Sequence, residues 1–478
     1  MAVAAYDLTP PLCVDLDGTL IRSDLLLESM LALIRRNPLY VFLIPLWLFR
    51  GRAVLKAEIA ARAPLNPAAL PYNLEFIQWL KSERAAGRSL WLCTAANERL
   101  ANAVAAELGI FDGVLASDSR TNLAGGSKAD RLVEQFGLGG FDYCGNEHRD
   151  LAVWRFARGA IVVNSSPALE RKVAERVSVL RSFPARVARL RPILRAIRPH
   201  QWAKNVLVLV PLLAAHRASD VASLLSGALA VVAFCLCASS VYVLNDLLDL
   251  EADRAHPRKS RRPFASGDLS IVTGFVLTAS LLAGAALLAL FLPPKFQLVL
   301  AAYYALTAGY SLVLKGIMLL DAVTLAGLYT LRIIAGAAAV TVALSFWLLL
   351  FSVFLFLSLA FVKRYAELDA LRRQLRLKAL GRGYTVEDLP VLQSLGTASG
   401  YLSVLVLALY INSPAIESLY HRPKAVWLLC VLMLYWISRV WMKVHRGEMH
   451  DDPVVFALRD RISLAVGLLA AVTVAIAI

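Results

Sequence analysis

Cysteine is scarce in this chain of 478 residues: there are six, at positions 13, 93, 144, 235, 237 and 430, none of them in a CxxC pair. That spacing argues against a disulfide framework, and the six read as small buried apolar side chains of a reducing compartment. Met1 to Pro11 lacks a basic region followed by an apolar one, so no signal peptide is expected there and the first domain should stay in the cytoplasm. Acidic residues are also few, 35 against 50 Lys and Arg, for a net charge of +15. Charged residues make up only 18% of the chain and hydrophobic ones 58%, with a mean hydropathy of +0.61. An ordinary soluble protein is excluded on that balance. The positive charge could suit nucleic acid, but in a multi-span protein basic residues collect in cytoplasmic loops, and no nucleic-acid partner is expected.

The apolar excess begins near residue 200, while residues 1–185 have the composition of a soluble domain. Nine apolar segments follow, at about 203–217, 221–245, 270–291, 297–313, 318–339, 343–362, 395–412, 424–441 and 461–478, each close to the ~18 residues needed to cross a bilayer. Lys and Arg gather in the even-numbered connections, which sets those on the cytoplasmic side with the N-terminal domain. The basic stretch RSFPARVARLRPILRAIRPHQWAK would enter the membrane from that face, and its Arg residues equally suit anionic lipid. A shorter apolar run, Pro38 to Phe49 with Pro45 at its centre, is too short to span and is expected as an interfacial or re-entrant helix pair.

In the soluble part, Leu12 to Asp17 reads as a buried strand ending in DLDGT, which presents Asp15 and Asp17 at the carboxyl end, where open α/β sheets bind ligands. A strand at Ser89 to Cys93 ends in Thr94, Lys128 lies in GGSK, and a strand at Tyr143-Cys144 ends in GNEHRD with Asn146 and Asp150. Strands alternating with helices predict a doubly wound, Rossmann-like α/β sheet. This set resembles the haloacid dehalogenase superfamily over about residues 9–165. The resemblance implies that Asp15 is a nucleophile forming an aspartyl-phosphate and Asp17 the general acid and base, with Asp15, Asp17 and Asp150 holding Mg2+. Thr94 and Lys128 would bind the phosphate. Asn146 departs from the pattern, which commonly has an acidic residue there.

Asn245 to Gly267, NDLLDLEADRAHPRKSRRPFASG, is the strongest feature of the second part. Spacings of three and four place Asp246, Asp249 and Asp253 on one helix face, where like charges need cations between them, and oxygen ligands of this kind suit magnesium diphosphate. Arg254, Lys259, Arg261 and Arg262 follow, with Arg forks suited to phosphate oxygens. NDxxDxxxD followed by HPxKxxRPxASG resembles the UbiA superfamily of intramembrane prenyltransferases, over about residues 195–478. The implied transferase metal site comprises Asn245, Asp246, Asp249, Asp253 and, from a less standard second motif near Tyr310 and Lys315, Asp321. Lys204, Arg254, Lys259, Arg262, Lys315 and Arg332 are the implied phosphate-binding groups. Arg332, deep in LYTLRIIAG, is too costly to place in a membrane without a purpose. Lys363, Arg364 and Glu367 form a similar cluster that snorkelling also explains.

The expected organisation is a phosphatase domain at 1–180 with an interfacial insertion at about 30–50, a basic linker at 181–200, and an all-α bundle of about nine transmembrane helices at 201–478. RPHQWAKN at 198–205, YSLVLK at 310–315 and GEMHDDPVVFALRDR at 447–461 resemble decaprenyl-phosphate phosphoribosyltransferases within the superfamily. That implies transfer of phosphoribose from phosphoribosyl pyrophosphate to a polyprenyl phosphate, with Mg2+ in both domains, at a bacterial-type inner membrane. The N-terminal domain would then dephosphorylate the product, an activated pentose donor for envelope glycans. Two alternatives stand beside it. One is prenyl transfer from a polyprenyl diphosphate to an aromatic or other small acceptor, and the other is non-catalytic lipid-phosphate binding or transport. Membrane lipids are expected partners, and a homo-oligomer is compatible with the sequence.

Overall fold

The computed structural model describes residues 9–478 apart from 64, 119–120, 186–189, 376–381, 414–419 and 450–451. Parts of the expected linker and of the 447–461 motif thus lie outside the described residues. The chain forms two compact units, one of residues 1–197 with 242–277 and the other of 198–241 with 278–478.

In the first unit the chain runs β1 (Leu12–Val14), α1 (Leu25–Arg36), α2 (Tyr40–Phe49), α3 (Arg52–Arg62), α4 (Leu74–Ala85), β2 (Leu90–Asn97), α5 (Glu98–Leu108), β3 (Gly113–Ser117), α6 (Gly126–Phe136), β4 (Asp142–Gly145), α7 (Leu151–Trp154), β5 (Gly159–Ser165), α8 (Pro167–Ala174), β6 (Ser178–Pro184) and α9 (Leu190–Ile197). The six strands are parallel in the order β3-β2-β1-β4-β5-β6. Successive residues of β1 feed opposite faces: Leu12 and Val14 pack with Phe76, Leu80 and Val104, whereas Cys13 packs with Leu132, Tyr143 and Trp154. This period-two alternation buries both faces, as a parallel sheet requires, and each fully buried Leu or Val contributes about 1.5–3 kcal/mol. Chain order reverses at β1, the switch point where α/β sheets open a crevice.

Between β1 and α4, helices α1 to α3 form a small cluster of their own around Leu33, Trp47, Leu55 and Ile59. Asp24 caps α1 by accepting from Leu27 N at 2.9 Å, and Arg35 and Arg36 close its last turn, each matching the helix dipole. The apolar run at 38–49 is one helix passing through Pro45, not a helix pair. The basic stretch expected as a linker contains the end of β6 and all of α9.

The remaining helices are α10 (Val210–Ala214), α11 (Val221–Leu248), α12 (Leu250–Arg254), α13 (Ile271–Ala289), α14 (Pro294–Leu312), α15 (Leu320–Ala339), α16 (Phe346–Arg373), α17 (Leu389–Ile411), α18 (Trp427–His445), α19 (Pro453–Arg459) and α20 (Arg461–Ala477). Helices α11 and α13 each give one end to each unit. Among the described residues six helices are long and apolar enough to cross a membrane, or seven if α19 and α20, bent by 80°, count as one span. That is fewer than the nine read from hydropathy. The first expected segment is instead a 3-10 stretch, Pro199–Leu209, followed by the five-residue α10, and α14 carries Lys295, Gln297, Thr307, Tyr310 and Ser311 among its apolar residues. The core of the second unit packs α15 to α18 around Tyr329, Phe356, Phe361, Trp436 and Trp441. Gly336 lets α15 approach the preceding segment, because a Cβ there would lie 1.9 Å from the Val208 carbonyl oxygen.

Candidate functional site

Asp15 leaves β1 at the switch point, 8% exposed, held by its own N–H donating to the Cys144 carbonyl at 3.0 Å. Lys128, in the first turn of α6 and 4% exposed, donates to Asp15 Oδ1 at 2.8 Å and to the Tyr143 hydroxyl at 2.9 Å. Tyr143 in turn donates to Asp150 Oδ1 at 2.9 Å, and the other Asp150 oxygen accepts the N–H groups of Asn146 and Glu147, each at 2.9 Å. Asp17 Oδ1 accepts Leu25 N at 2.8 Å, which ties the second carboxylate to the start of α1. Thr94 is buried within β2 rather than following it, and its Oγ1 accepts Ala96 N at 3.0 Å. Gly18, at φ +72°, sits against Asn146, whose Nδ2 would be 2.1 Å from an added Cβ. Asn146 Oδ1 accepts the Thr19 hydroxyl at 3.2 Å.

Asp15, Asp17, Lys128, Glu147 and Asp150 line a cavity of about 310 Å³ together with Leu48, Arg52 and Lys56 of the small helical cluster, and Thr94 is not in its lining. Burial raises the Asp15 pKa to about 6 against the opposing pull of Lys128. Burial, then the Asp24 and Asp15 charges, raises Asp17 to about 8. Burial works against the charge on Lys128, but Asp15 and Asp150 outweigh it and hold its pKa above the usual value. The arrangement has one carboxylate beside a cation and a second that keeps its proton near neutral pH, the difference that separates a nucleophile from a general acid. Asp15 and Asp17 offer the hard oxygen ligands that magnesium takes, usually one or two carboxylates completed by water. Asp150 lines the same cavity, and both of its oxygens accept hydrogen bonds, from Tyr143 and from the 146–147 backbone.

The acidic motif at 245–254 lies in the same unit. It is not one helix: α11 stops at Leu248, Asp249 stands between the helices at φ −99° and ψ 13°, and α12 begins at Leu250. The carboxylates nevertheless converge, since Arg262 Nη1 donates to Asp246 Oδ1 at 3.0 Å and to Asp253 Oδ2 at 2.7 Å. Asp249 is paired with Arg35 of α1. Each of the three carboxylates thus has a guanidinium partner. Arg254, expected on phosphate, makes a two-pronged pair with Glu28 of α1 at 2.6 and 2.9 Å, with side chains 10% and 4% exposed. Lys259 is exposed in a short 3-10 turn, and Asn245 accepts Asp249 N through its carbonyl at 2.9 Å. Among the described residues no three His, Cys, Asp or Glu side chains form a ready-made metal cluster.

In the second unit, Asp321 is fully buried and already neutralised. It pairs with Arg364 at 2.6 Å and Arg382 at 3.1 Å and accepts the Tyr310 hydroxyl at 2.7 Å. Arg332 is equally committed: it donates to Asn205 Oδ1 at 2.9 Å, Leu328 O at 2.6 Å and the Tyr303 hydroxyl at 2.8 Å, and lies over the Tyr303 and Tyr329 rings. Lys204 donates to Asp452 Oδ2 at 2.7 Å, the same oxygen takes Lys363 at 3.2 Å, and Tyr329 reaches Oδ1 at 3.1 Å. Lys315, in the 3-10 turn Leu314–Gly316, is half-buried. Asp452, Tyr329, Arg382 and Asn205 are not singled out by the sequence reading, although Asn205 ends RPHQWAKN and Tyr329 lies in LYTLRIIAG. The one signal for Asp452 is its place in GEMHDDP.

The fold and sites define an integral-membrane protein that joins a buried carboxylate–lysine site on an α/β sheet to apolar helices and an acidic motif. The chain belongs to the UbiA prenyltransferase family, whose model matches residues 206–466, and residues 12–155 match haloacid dehalogenase-like hydrolase. An uncharacterized protein of Sinorhizobium fredii is 38% identical over 98% of this chain and 90% of its own length. The nodulation protein NoeC of Azorhizobium caulinodans is 39% identical over 56% of this chain and 87% of its own. The decaprenyl-phosphate phosphoribosyltransferase of Mycolicibacterium smegmatis is 39% identical, over 38% of this chain and 58% of that enzyme.

Proposed function

We propose that this UbiA-family transferase moves phosphoribose from phosphoribosyl pyrophosphate to a polyprenyl phosphate, and that its hydrolase-like domain then removes the 5-phosphate. In the first step a phosphate oxygen of the lipid forms a bond to ribose C1 while the bond from C1 to pyrophosphate breaks. Asp246, Asp249 and Asp253 would hold the magnesium that offsets the leaving charge, which requires Arg262 and Arg35 to yield their places. In the second step Asp15 attacks the phosphorus of the 5-phosphomonoester, and Asp17 gives its proton to the departing ribose oxygen. Water then attacks the aspartyl-phosphate, Asp17 takes the proton, and inorganic phosphate leaves. Lys128 holds Asp15 in place, and magnesium, for which Asp15 and Asp17 offer oxygen ligands, would offset the charge of the incoming phosphate.

The observation that carries this reading is the pairing of Lys128 and Asp15 at 2.8 Å beside Asp17, a phosphomonoesterase arrangement on the chain that bears the diphosphate motif. Phosphoribosyl transfer leaves a phosphomonoester for such a site, whereas prenyl transfer to an aromatic ring leaves none. The relatives named for phosphoribosyl transfer point the same way. We further propose that the 199–214 and 294–312 segments complete a nine-membered bundle, and that the sites face the cytoplasm at the inner membrane, as the basic connections support. The test offers the purified chain phosphoribosyl pyrophosphate with polyprenyl phosphate, and separately a polyprenyl diphosphate with an aromatic acid. Label is expected in the lipid only from the first pair, and prenylated acid from the second pair alone would overturn the reading.

A further inference from the structure

Helix α2, YVFLIPLWLF, contains no charged residue, and apart from the buried Trp47 much of its surface is uncovered: Phe42 is 75% exposed and Phe49 90%. A helix that is apolar all round is normally buried. Its ten residues rise about 15 Å, half of a ~30 Å hydrocarbon core, so it cannot cross. Arg36 precedes it and Arg50 follows, a charge pattern that complements anionic headgroups. The spans of this same chain hold it at a bilayer. Trp47 anchors α2 to α1 and α3 through the cluster with Leu33, Leu55 and Ile59.

That cluster also forms one wall of the Asp15 cavity. Leu48 of α2 and Leu55 and Ile59 of α3 line it on the apolar side, and Arg52 and Lys56 add positive charge. Lys56 is fixed there, donating to Ala95 O at 2.5 Å and Asn122 Oδ1 at 2.8 Å. The cavity thus joins a phosphomonoester site to an apolar, basic wall continuous with the exposed helix.

We propose that α2 seats in the headgroup and upper acyl region of the bilayer, and that the cavity takes a lipid-linked phosphomonoester that also carries a phosphodiester. The monoester meets Asp15, while Arg52 and Lys56 face the phosphodiester and the Leu48 side lies towards the lipid. This rests on the phosphatase reading given above and adds the route by which its lipid-linked substrate enters and the side chains that meet the phosphodiester.

The test uses the full chain in nanodiscs containing anionic lipid. All six native cysteines are buried, so Phe42→Cys can carry a single environment-sensitive fluorophore. Quenching by spin labels placed on lipid acyl chains is expected. Water-like emission without quenching, or Phe42→Cys crosslinks between two copies, overturns the bilayer as the occupant. In parallel, Phe42→Glu with Phe49→Glu is assayed on a lipid-linked phosphomonoester and on p-nitrophenyl phosphate. Turnover of the lipid substrate is expected to fall at least about tenfold, the soluble one staying unchanged, because acidic side chains oppose interfacial seating. Equal losses on both overturn the proposal. Asp15→Asn reports separately on the phosphatase reading: it should abolish both hydrolyses, and full activity in that variant would defeat that reading while the quenching result stood.

Discussion

Asp17 occupies a place that opposes its own ionisation, and the consequence can be measured. Its pKa of about 8 in the folded chain, against 3.8 unfolded, means the folded state holds a proton that the unfolded state has released over that range. Stability from this group is therefore complete below about pH 4 and is lost as pH rises towards 8. Without magnesium, Asp17→Asn is expected to stabilise the domain by a margin that grows from pH 5 to pH 8, read as the difference in Tm. A margin that shrinks with pH would contradict the burial argument. Gly18 gives a second test: its positive φ and the 2.1 Å approach of Asn146 Nδ2 make Gly18→Ala cost about 1–3 kcal/mol, visible as a lowered denaturant midpoint. Wild-type stability in that variant would show that the loop relaxes freely.

At the scale of elements, α1 is tied to the acidic motif by two ion pairs, Glu28 with Arg254 and Arg35 with Asp249. Breaking the buried first pair strands a charge, so Glu28→Gln is expected to cost about 3–5 kcal/mol, whereas Glu28→Gln with Arg254→Met recovers most of it. Additive losses in that double-mutant cycle would show that the pair is not coupled. Sequence alone exposed the strand ends bearing Asp15 and Asn146, because a buried β run followed by Asp and Gly is a local signal. It also exposed the acidic motif through its spacing. It did not expose the partners. Glu28 and Arg254 stand 226 residues apart and Lys204 and Asp452 248 apart, distances over which periodicity carries no information. For the same reason it did not expose the ion pairs that Arg262, Arg35, Arg364 and Arg382 make with the carboxylates of Asp246, Asp253, Asp249 and Asp321. Where polar side chains, as in α14, or a 3-10 stretch interrupt an apolar run, the described helices fall short of the length or the apolarity of a span.

For the whole molecule, the two proposed reactions fit end to end, one leaving the phosphomonoester that the other consumes. The groups are separable by mutation. Asp452 binds Lys204, Lys363 and Tyr329 at once, and Asp452→Asn is expected to lower phosphoribosyl transfer at least about tenfold, since it unbalances buried lysines. Hydrolysis of a soluble phosphomonoester by the same variant should be unchanged, and a matching loss in both assays would show that the effect is one of general unfolding.

The most direct measurement is the mass of the lipid product formed by wild type and by Asp15→Asn from phosphoribosyl pyrophosphate, polyprenyl phosphate and magnesium. The account predicts lipid-linked ribose from the wild type and lipid-linked phosphoribose from the variant. The same product from both, or no lipid-linked pentose from either, would contradict it.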